Sequence, residues 1–183
     1  MASNTDMFDL RRMVYISLFT ALIAVGGYLS FPLPLSPVPV VLADFFVMLS
    51  VLFLGGVGGI TSVGLLLFLS LLGLPVLAGG GAGFAIYLGP TGGFLIGYLV
   101  CAFIVGQISN KGKSGILKDL VALICGNIFL YTLGVPWLKL VLKVSWKEAL
   151  AFGLLPFIVG AVIKIIVAVM VRQFLRLSSN QDN

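Results

Sequence analysis

The sequence has no histidine, only two cysteines and only six acidic residues among 183. Without histidine, the chain lacks the most common general base, proton shuttle and metal ligand of proteins. Cys101 and Cys125 lie within long apolar segments and give neither a disulfide framework nor the spacing of a metal site. Packing is therefore their expected role, and these absences weigh against metal binding and against histidine-dependent catalysis.

Charge is scarce as well. Charged residues make up 9% of the chain, hydrophobic residues make up 60%, and the mean hydropathy is +1.20. A soluble domain has about 45–50% apolar and about 25% charged residues, so the chain is predicted to be an integral membrane protein. Each bilayer crossing takes about 20 mostly apolar residues. A chain of this length therefore holds about six spans, and residues 1–183 are expected to form a single unit.

Polar breaks and clusters of glycine or proline divide the chain into six predicted spans. The predicted fold class is an all-α integral membrane protein of six transmembrane helices. The first span is expected to be retained rather than cleaved as a signal peptide, because no small-residue cleavage site closes it. The spans cover approximately residues 14–29, 40–54, 60–72, 92–108, 120–135 and 150–174.

The distribution of basic residues predicts the orientation of these spans. With six spans both termini share one side, which carries seven basic residues against three on the other. The positive-inside rule then places both termini in the cytoplasm of a multi-pass protein of the plasma membrane. The seven residues are Arg11, Arg12, Lys111, Lys113, Lys118, Arg172 and Arg176, and the three are Lys139, Lys143 and Lys147. Because the net charge of +5 follows the membrane flanks, lipid is an expected partner and nucleic acid is not.

The segment GQISNKGKS, Gly106–Ser114, nearly matches the phosphate-binding motif G-x-x-x-x-G-K-S. It has one residue too many, and it follows a membrane helix instead of a strand. The loop of backbone N–H groups that would hold a nucleotide therefore has no scaffold. The segment is predicted to be a cytoplasmic turn, and the chain is not expected to hydrolyse ATP.

A glycine- and proline-rich stretch separates the third and fourth spans. Gly73–Gly93, GLPVLAGGGAGFAIYLGPTGG, contains eight glycines, two prolines and no charge. Irregular backbone is tolerated at membrane depth only where it lines a cavity, because each unpaired polar group costs several kcal/mol in lipid. Its interleaved apolar side chains are not typical of a flexible linker. The stretch is predicted to be a structured outer lid over a pocket, and the four-proline segment 31–40 a second stiff wall.

Three blocks carry a family resemblance. GLPVLAGGGAG and GPTGGFLIGY, together with SPVPVVLADFFVMLSVLFLG at 36–55, resemble the BioY family, the biotin-specific S components of energy-coupling factor (ECF) transporters. The resemblance extends over nearly the whole chain. It implies a six-helix protein that captures a vitamin from outside without a cofactor. It also implies a transmembrane coupling subunit and two cytoplasmic ATPase subunits as partners.

The sequence departs from the family pattern at some positions. Val41, Ala43 and Asp44 stand where many relatives have Thr, Gln and Thr. On the sixth span Ala161 replaces an acid, whereas Lys164 is retained. The ureido ring of biotin is rich in donors and acceptors, and burying such groups without partners costs about 1–3 kcal/mol each. Biotin is the expected ligand because the loop blocks match the family. Lipoate, which has a similar pentanoate tail but an apolar head, or another pentanoate-tailed acid is the alternative.

Lys164 lies deep in the sixth span, about 12 Å from both Pro156 and Arg172. A lysine at this depth usually faces a cavity or a partner. Lys164 is predicted either to hold the carboxylate of the ligand or to form an ion pair with Asp44, the only acid inside a predicted span. The candidate ligand-binding residues are Lys164, Asp44, Gly79, Gly80, Gly81, Tyr87 and Asn127.

Small residues form a stripe on the first span. Ser17, Ala21 and Ala24 are spaced at i, i+4 and i+7, so they share one helix face that another helix can approach closely. The family typically carries A-x-x-x-A here for docking on the coupling subunit, and Ser17-x-x-x-Ala21 resembles that motif. The stripe is predicted either to dock on this partner or to pack within the chain's own bundle.

A membrane enzyme or a channel is the alternative from a different functional class. An enzyme would need a nucleophile or an acid–base pair at membrane depth, where this chain has few polar residues. A channel would need rings of carbonyls or charges around an axis, which a single small chain forms only by oligomerising.

Overall fold

The computed structural model describes residues 4–34, 36–109 and 115–181. These residues form seven α-helices and one small antiparallel sheet. The helices are α1 (Asn4–Tyr28), α2 (Ala43–Leu71), α3 (Phe84–Leu88), α4 (Gly92–Ile108), α5 (Ile116–Leu142), α6 (Trp146–Gly153) and α7 (Leu155–Gln181). The strands are β1 (Ser30–Leu33) and β2 (Ser36–Val41). Lys111 and Lys113, and with them most of the turn predicted at Gly106–Ser114, lie outside the described residues.

Four helical segments are long and apolar enough to cross a membrane, and α4 is a shorter apolar helix. The four segments are Leu10–Tyr28, Ala43–Leu71, Ile116–Leu142 and Trp146–Leu175. All of them lie where the sequence predicts spans, and α2 covers two predicted spans at once.

Helix α2 reverses direction at Gly55. This residue has φ 74° and ψ 176°, a conformation that glycine adopts without a Cβ clash. A Cβ on Gly59 would lie only 2.4 Å from Cγ2 and 2.9 Å from Cα of Val51. Residues eight positions apart in a straight helix are separated by about 12 Å, so segment 56–71 folds back on segment 43–54. Counted as two, these halves bring the long helical segments of the described chain to six, which confirms the predicted fold class.

Helix α4 occupies the centre of the bundle. It packs against α2 on one side and α5 on the other, α1 packs on α2, and α7 contacts both α2 and α5. Two glycines let α2 and α4 approach closely, since a Cβ on Gly106 would lie 2.3 Å from Cα of Gly56. Small residues at such crossings let helix backbones touch, which is how membrane helices gain packing energy.

The four-proline segment forms a β-hairpin instead of the start of a helix. Ser30 pairs with Val41 and Phe31 with Val40, and the register shifts before Leu33 pairs with Ser36. Span 2 therefore begins at Ala43, three residues later than predicted, because proline lacks an N–H and cannot continue a helix. The hairpin provides the stiff second wall that the prolines suggested.

Helix α5 continues through Pro136 to Leu142, seven residues beyond its predicted end. A proline removes only one backbone hydrogen bond from a helix, and membrane helices tolerate it because neighbouring groups re-satisfy the backbone. The fifth span is therefore longer than the proline suggested.

The glycine-rich loop is an ordered structure fixed at several points. It contains a 3-10 turn at Ala78–Gly80 followed by α3. The Tyr28 hydroxyl of α1 donates to the Pro75 carbonyl, and the Trp137 indole of α5 donates to the Gly89 carbonyl at 3.0 Å. Gly79 and Gly80 adopt positive φ values of 62° and 80°, which explains why glycine is required in this turn.

A buried ion pair joins α5 and α7 at the end of the bundle opposite the loop. Arg172 Nη1 lies 3.1 Å from Asp119 Oδ1, and the Ser109 hydroxyl donates to the same oxygen at 2.8 Å. Arg172 and Asp119 are both buried. The sequence identified Arg172 only as a flanking charge, because the predicted span 5 began one residue after Asp119.

Candidate ligand-binding site

A cavity of about 180 Å³ lies beneath the loop and the hairpin. Its walls come from β2, the glycine-rich loop and helices α2, α4, α5 and α7, so both segments that the sequence predicted as walls contribute to it. Most lining side chains are apolar, and five carry polar groups: Asp44, Thr91, Tyr98, Tyr131 and Lys164. An apolar cavity with a few convergent polar groups is the usual form of a small-molecule site.

Lys164 and Asp44 meet on the wall of this cavity. The ammonium of Lys164 lies 2.8 Å from Asp44 Oδ1 and 2.9 Å from Oδ2, and it also donates to the Val41 carbonyl at 2.6 Å. Both side chains are 12% exposed. The predicted ion pair therefore forms, and it lines the cavity at the same time.

Local structure explains why each partner is placed here. Asp44 lies in the first turn of α2, where the positive end of the helix dipole favours a carboxylate. Lys164 reaches it from α7, which packs on α2. The pair thus connects the start of α2, the end of β2 and the middle of α7.

The hydrogen-bond capacity of the pair determines what it can bind. An ammonium has three N–H donors, and Lys164 directs them at two carboxylate oxygens and one carbonyl. An ionised carboxylate accepts about four hydrogen bonds, so Asp44 retains acceptor capacity. The pair has no net charge and offers an acceptor, which suits a ligand N–H group better than a ligand carboxylate.

Two tyrosines on the cavity wall were not among the sequence candidates. Tyr98 of α4 and Tyr131 of α5 both line the cavity, and within the described parts of the chain neither hydroxyl has a hydrogen-bond partner. A tyrosine on an apolar helix resembles an ordinary core residue in sequence. Tyr98 ends the block GPTGGFLIGY that carried the family resemblance, and this was the available signal.

The cavity also reaches the beginning of α4. Thr91 is the N-cap residue of this helix and lines the cavity, and its carbonyl accepts from the N–H groups of Phe94 and Leu95. Helix N-termini carry partial positive charge and favour anions. The cavity therefore has one wall with a spare acceptor, at Asp44, and another that favours an anion, at Thr91.

The loop candidates shape the lid and do not line this cavity. Leu77 and Ala78 line it, whereas Gly79, Gly80 and Gly81 belong to the turn and its end. The Tyr87 hydroxyl lies 2.5 Å from Ser70 Oγ and donates to the Leu67 carbonyl at 2.9 Å. Burial raises the pKa of Tyr87, so its hydroxyl stays protonated and holds the loop. Ligand contacts by these residues remain predictions.

Asn127 lies on α5, four residues before Tyr131, and its side chain reaches Met48 of α2. Its amide donates to the Leu123 carbonyl at 2.9 Å and approaches Met48 Sδ at 3.3 Å. It lines a groove between α5 and α7 and not the cavity. Asn127 does not reach the cavity, and its role in ligand binding stays a prediction.

The small residues of α1 divide between two faces. Thr20 is buried and donates to the Ser62 carbonyl at 3.1 Å, so this side of α1 packs on α2. Ser17 and Ala21 are exposed and Ala24 is half-buried. The face with Ser17 and Ala21 is thus not covered by the chain's own described helices, and its docking on a partner stays a prediction.

Comparisons with known proteins identify the family of the chain. The family model described as "BioY family" matches residues 1–180. A "Biotin transporter BioY" from Thermotoga maritima is 36% identical over 162 residues, which cover 88% of this chain and 94% of that protein. A protein of the same name from Rhizobium etli is 38% identical over 170 residues, covering 87% of this chain and 90% of that protein.

A solved structure shares the whole fold. It is the crystal structure of "the S-component for biotin from an ECF-type ABC transporter", and it matches with a TM-score of 0.83 at 32% sequence identity. The match covers 96% of this chain and 95% of that chain.

Proposed function

The chain belongs to the BioY family, and from this premise we propose that it is the substrate-binding S component of an ECF-type transporter and that its cavity binds biotin. The whole chain acts as one substrate-binding unit in the membrane. The similarity to transporter components argues against an enzyme or a channel.

The observation that carries the choice of ligand is the Asp44–Lys164 pair on the cavity wall. The ureido ring of biotin has two N–H donors and one carbonyl acceptor. Asp44 accepts from a ureido N–H, and the Tyr98 and Tyr131 hydroxyls are free to donate to the ring carbonyl. The carboxylate at the end of the pentanoate chain then lies toward Thr91 and the N-terminus of α4, away from Asp44.

This arrangement differs from the first of the two roles predicted for Lys164. A ligand carboxylate at Lys164 would be held close to the carboxylate of Asp44, and like charges at this distance repel. Lys164 instead orients Asp44 and neutralises it. The dithiolane ring of lipoate has no N–H group, so lipoate leaves the remaining acceptors of Asp44 unsatisfied in a buried site. Lipoate is therefore the weaker candidate.

The transporter context supplies the partners. The exposed face of α1 with Ser17 and Ala21 docks on the transmembrane coupling subunit, and the two cytoplasmic ATPase subunits hydrolyse ATP. Both termini lie in the cytoplasm, so that the loop and the cavity face outward. The basic-residue count supports this orientation.

Two measurements test the ligand. First, mass spectrometry of the supernatant after denaturing the purified protein should identify biotin as a released small molecule. Second, calorimetric titration of ligand-free protein should give tighter binding of biotin than of lipoate by at least tenfold. Equal affinities for the two acids, or release of lipoate alone, would refute biotin as the ligand.

A further inference from the structure

A second concavity lies outside the ligand cavity, between α5 and α7. This groove has a volume of about 660 Å³ and is open to the outside of the bundle. Its lining is almost entirely apolar and includes Ile124, Ile128 and Val135 of α5 and Ile158, Val162 and Ile165 of α7. Tyr131 separates it from the ligand cavity, since this side chain lines both.

The length of the groove matches one leaflet of a bilayer. Along α5 it extends from Ile124 to Pro136, which corresponds to about 18 Å at 1.5 Å per residue. Half of a hydrocarbon core of about 30 Å is about 15 Å. The groove therefore covers the depth of a single acyl chain. Its lining on α7, from Ile158 to Ile165, lies in the loop-side half of that helix, and its lining on α5 extends from the middle of the helix toward the loop-side end.

The loop-side end of the groove carries positive charge. Trp146 of α6 lines the groove, and Lys139 Nζ lies 5.1 Å from the centroid of the Trp146 ring. Lys139 follows Val135 by four residues, so it lies on the same face of α5, one turn beyond the apolar lining. Lys143 and Lys147 are exposed nearby in sequence. The acid of this region, Glu148, is engaged in capping α6 through Ser145.

We propose that this groove is a binding site for an anionic glycerophospholipid of the leaflet on the loop side. One acyl chain fills the apolar groove, and the phosphate group lies against Lys139 at its rim. Tryptophan at the rim fits this assignment, because its ring prefers the level of the headgroups. A basic residue near an anionic membrane surface strengthens lipid binding.

The position of the groove argues against the coupling subunit as its occupant. The exposed small-residue face proposed for docking lies on α1, which packs on α2 and has no extensive contact with α5 or α7 among the described residues. The two surfaces thus belong to different flanks of the bundle. The assignment does not depend on biotin being the ligand.

The proposal is tested by fluorescence quenching in vesicles. The chain has two tryptophans, so Trp137→Phe leaves Trp146 as the sole reporter. The protein is reconstituted in phosphatidylcholine, and part of the lipid is replaced by phosphatidylglycerol or phosphatidylcholine with brominated acyl chains. Brominated phosphatidylglycerol should quench Trp146 with a relative association constant at least three times that of brominated phosphatidylcholine.

Three variants define the site. Lys139→Gln should reduce the preference for phosphatidylglycerol to about one, whereas Lys118→Gln, at the opposite end of the same helix, should leave it unchanged. Val162→Phe fills the groove and should reduce quenching by both lipids. Equal quenching by the two lipids in the parent protein, equal effects of the two lysine variants, or no effect of Val162→Phe would each overturn the proposal.

A second measurement avoids the Trp137 substitution. Native mass spectrometry of the unmodified chain, released from detergent, should show bound phosphatidylglycerol that persists in Lys118→Gln and is lost in Lys139→Gln. The fluorescence experiment is also repeated on the assembled transporter. If brominated lipid no longer quenches Trp146 there, the groove is covered by the coupling subunit and the lipid site is refuted.

Discussion

Replacing Lys164 with Met tests the role of the buried ion pair most directly. Methionine keeps the bulk of the lysine stem and removes the ammonium, which donates to both oxygens of Asp44 and to the Val41 carbonyl. We expect the variant to bind biotin at least tenfold more weakly and to be less stable. The two losses have different physical origins, and the experiment separates them.

The expected loss of stability follows from burial. Both side chains are 12% exposed, and removing one partner of a buried pair costs about 3–5 kcal/mol because the other charge is left uncompensated. Removing both charges together is often close to neutral. The double variant Lys164→Met/Asp44→Asn should therefore recover most of the stability that the single variant loses.

Affinity should fall in Lys164→Met because Asp44 is no longer oriented for the ligand. Unlike the stability, this affinity should not recover in the double variant. Asp44 is proposed to accept a hydrogen bond from biotin, and a hydrogen bond to a charged group contributes about 1.5–3 kcal/mol. At 1.4 kcal/mol per tenfold change this corresponds to roughly ten- to 150-fold in Kd. The double variant lacks the carboxylate, so it should be stable and still bind weakly.

The assay combines thermal unfolding in detergent with calorimetric titration of biotin for the parent, both single variants and the double variant. Arg172→Met is the matched control, because it breaks the other buried ion pair of the described chain, far from the cavity. That variant should lose stability and keep its affinity. If Asp44→Asn binds biotin normally, or if affinity returns together with stability in the double variant, the pair only holds α2 and α7 together and the contact of Asp44 with the ligand is refuted.

The remaining predictions concern the tyrosines, the docking face and the orientation. Tyr98→Phe and Tyr131→Phe should each weaken biotin binding severalfold with little change in stability, since each removes one cavity hydroxyl; unchanged titrations of both variants would exclude them as ligand contacts. Ala21→Leu should impair biotin uptake by the assembled transporter and leave the affinity of the isolated chain intact. The same enlargement at an exposed position of α6, Ala151→Leu, should leave both uptake and affinity unchanged. Equal loss of uptake and affinity in Ala21→Leu would contradict docking. Phe84→Cys, at an exposed loop position in a cysteine-free background, should react with an impermeant thiol reagent in intact cells without ligand; reaction only after lysis would reverse the proposed orientation.

Residues that break the apolar pattern were the ones whose surroundings could be predicted from sequence. Lys164 and Asp44 are charges inside predicted spans, and the cost of burying each one alone made their pairing foreseeable. The six-helix fold followed from span lengths in the same way. The glycine-rich loop was recognisable because its composition suits neither a helix nor a linker.

The features that were missed follow the apolar pattern or depend on tertiary contacts. Tyr98 and Tyr131 are aromatic residues on apolar helices, so only the position of the cavity reveals their exposed hydroxyls. The hairpin at 30–41 arises from pairing between two segments whose prolines suggest only stiffness. Asp119 and Arg172 lie at span ends, where a charge normally faces water, and the structure buries both.

The last turn of α1 is hydrogen-bonded both to the residue after the hairpin and to the glycine-rich loop. The Gly26 carbonyl accepts from Leu42 N–H at 2.9 Å, and the Tyr28 hydroxyl donates to the Pro75 carbonyl. The hairpin side and the loop side of the cavity are therefore both fastened to the helix that carries the exposed Ser17–Ala21 face. A tilt of α1 would displace both walls together, so the proposed docking on this helix would be energetically coupled to opening of the cavity. By reciprocity, a partner that lowers biotin affinity through α1 is itself bound more weakly by the biotin-loaded chain, by the same factor.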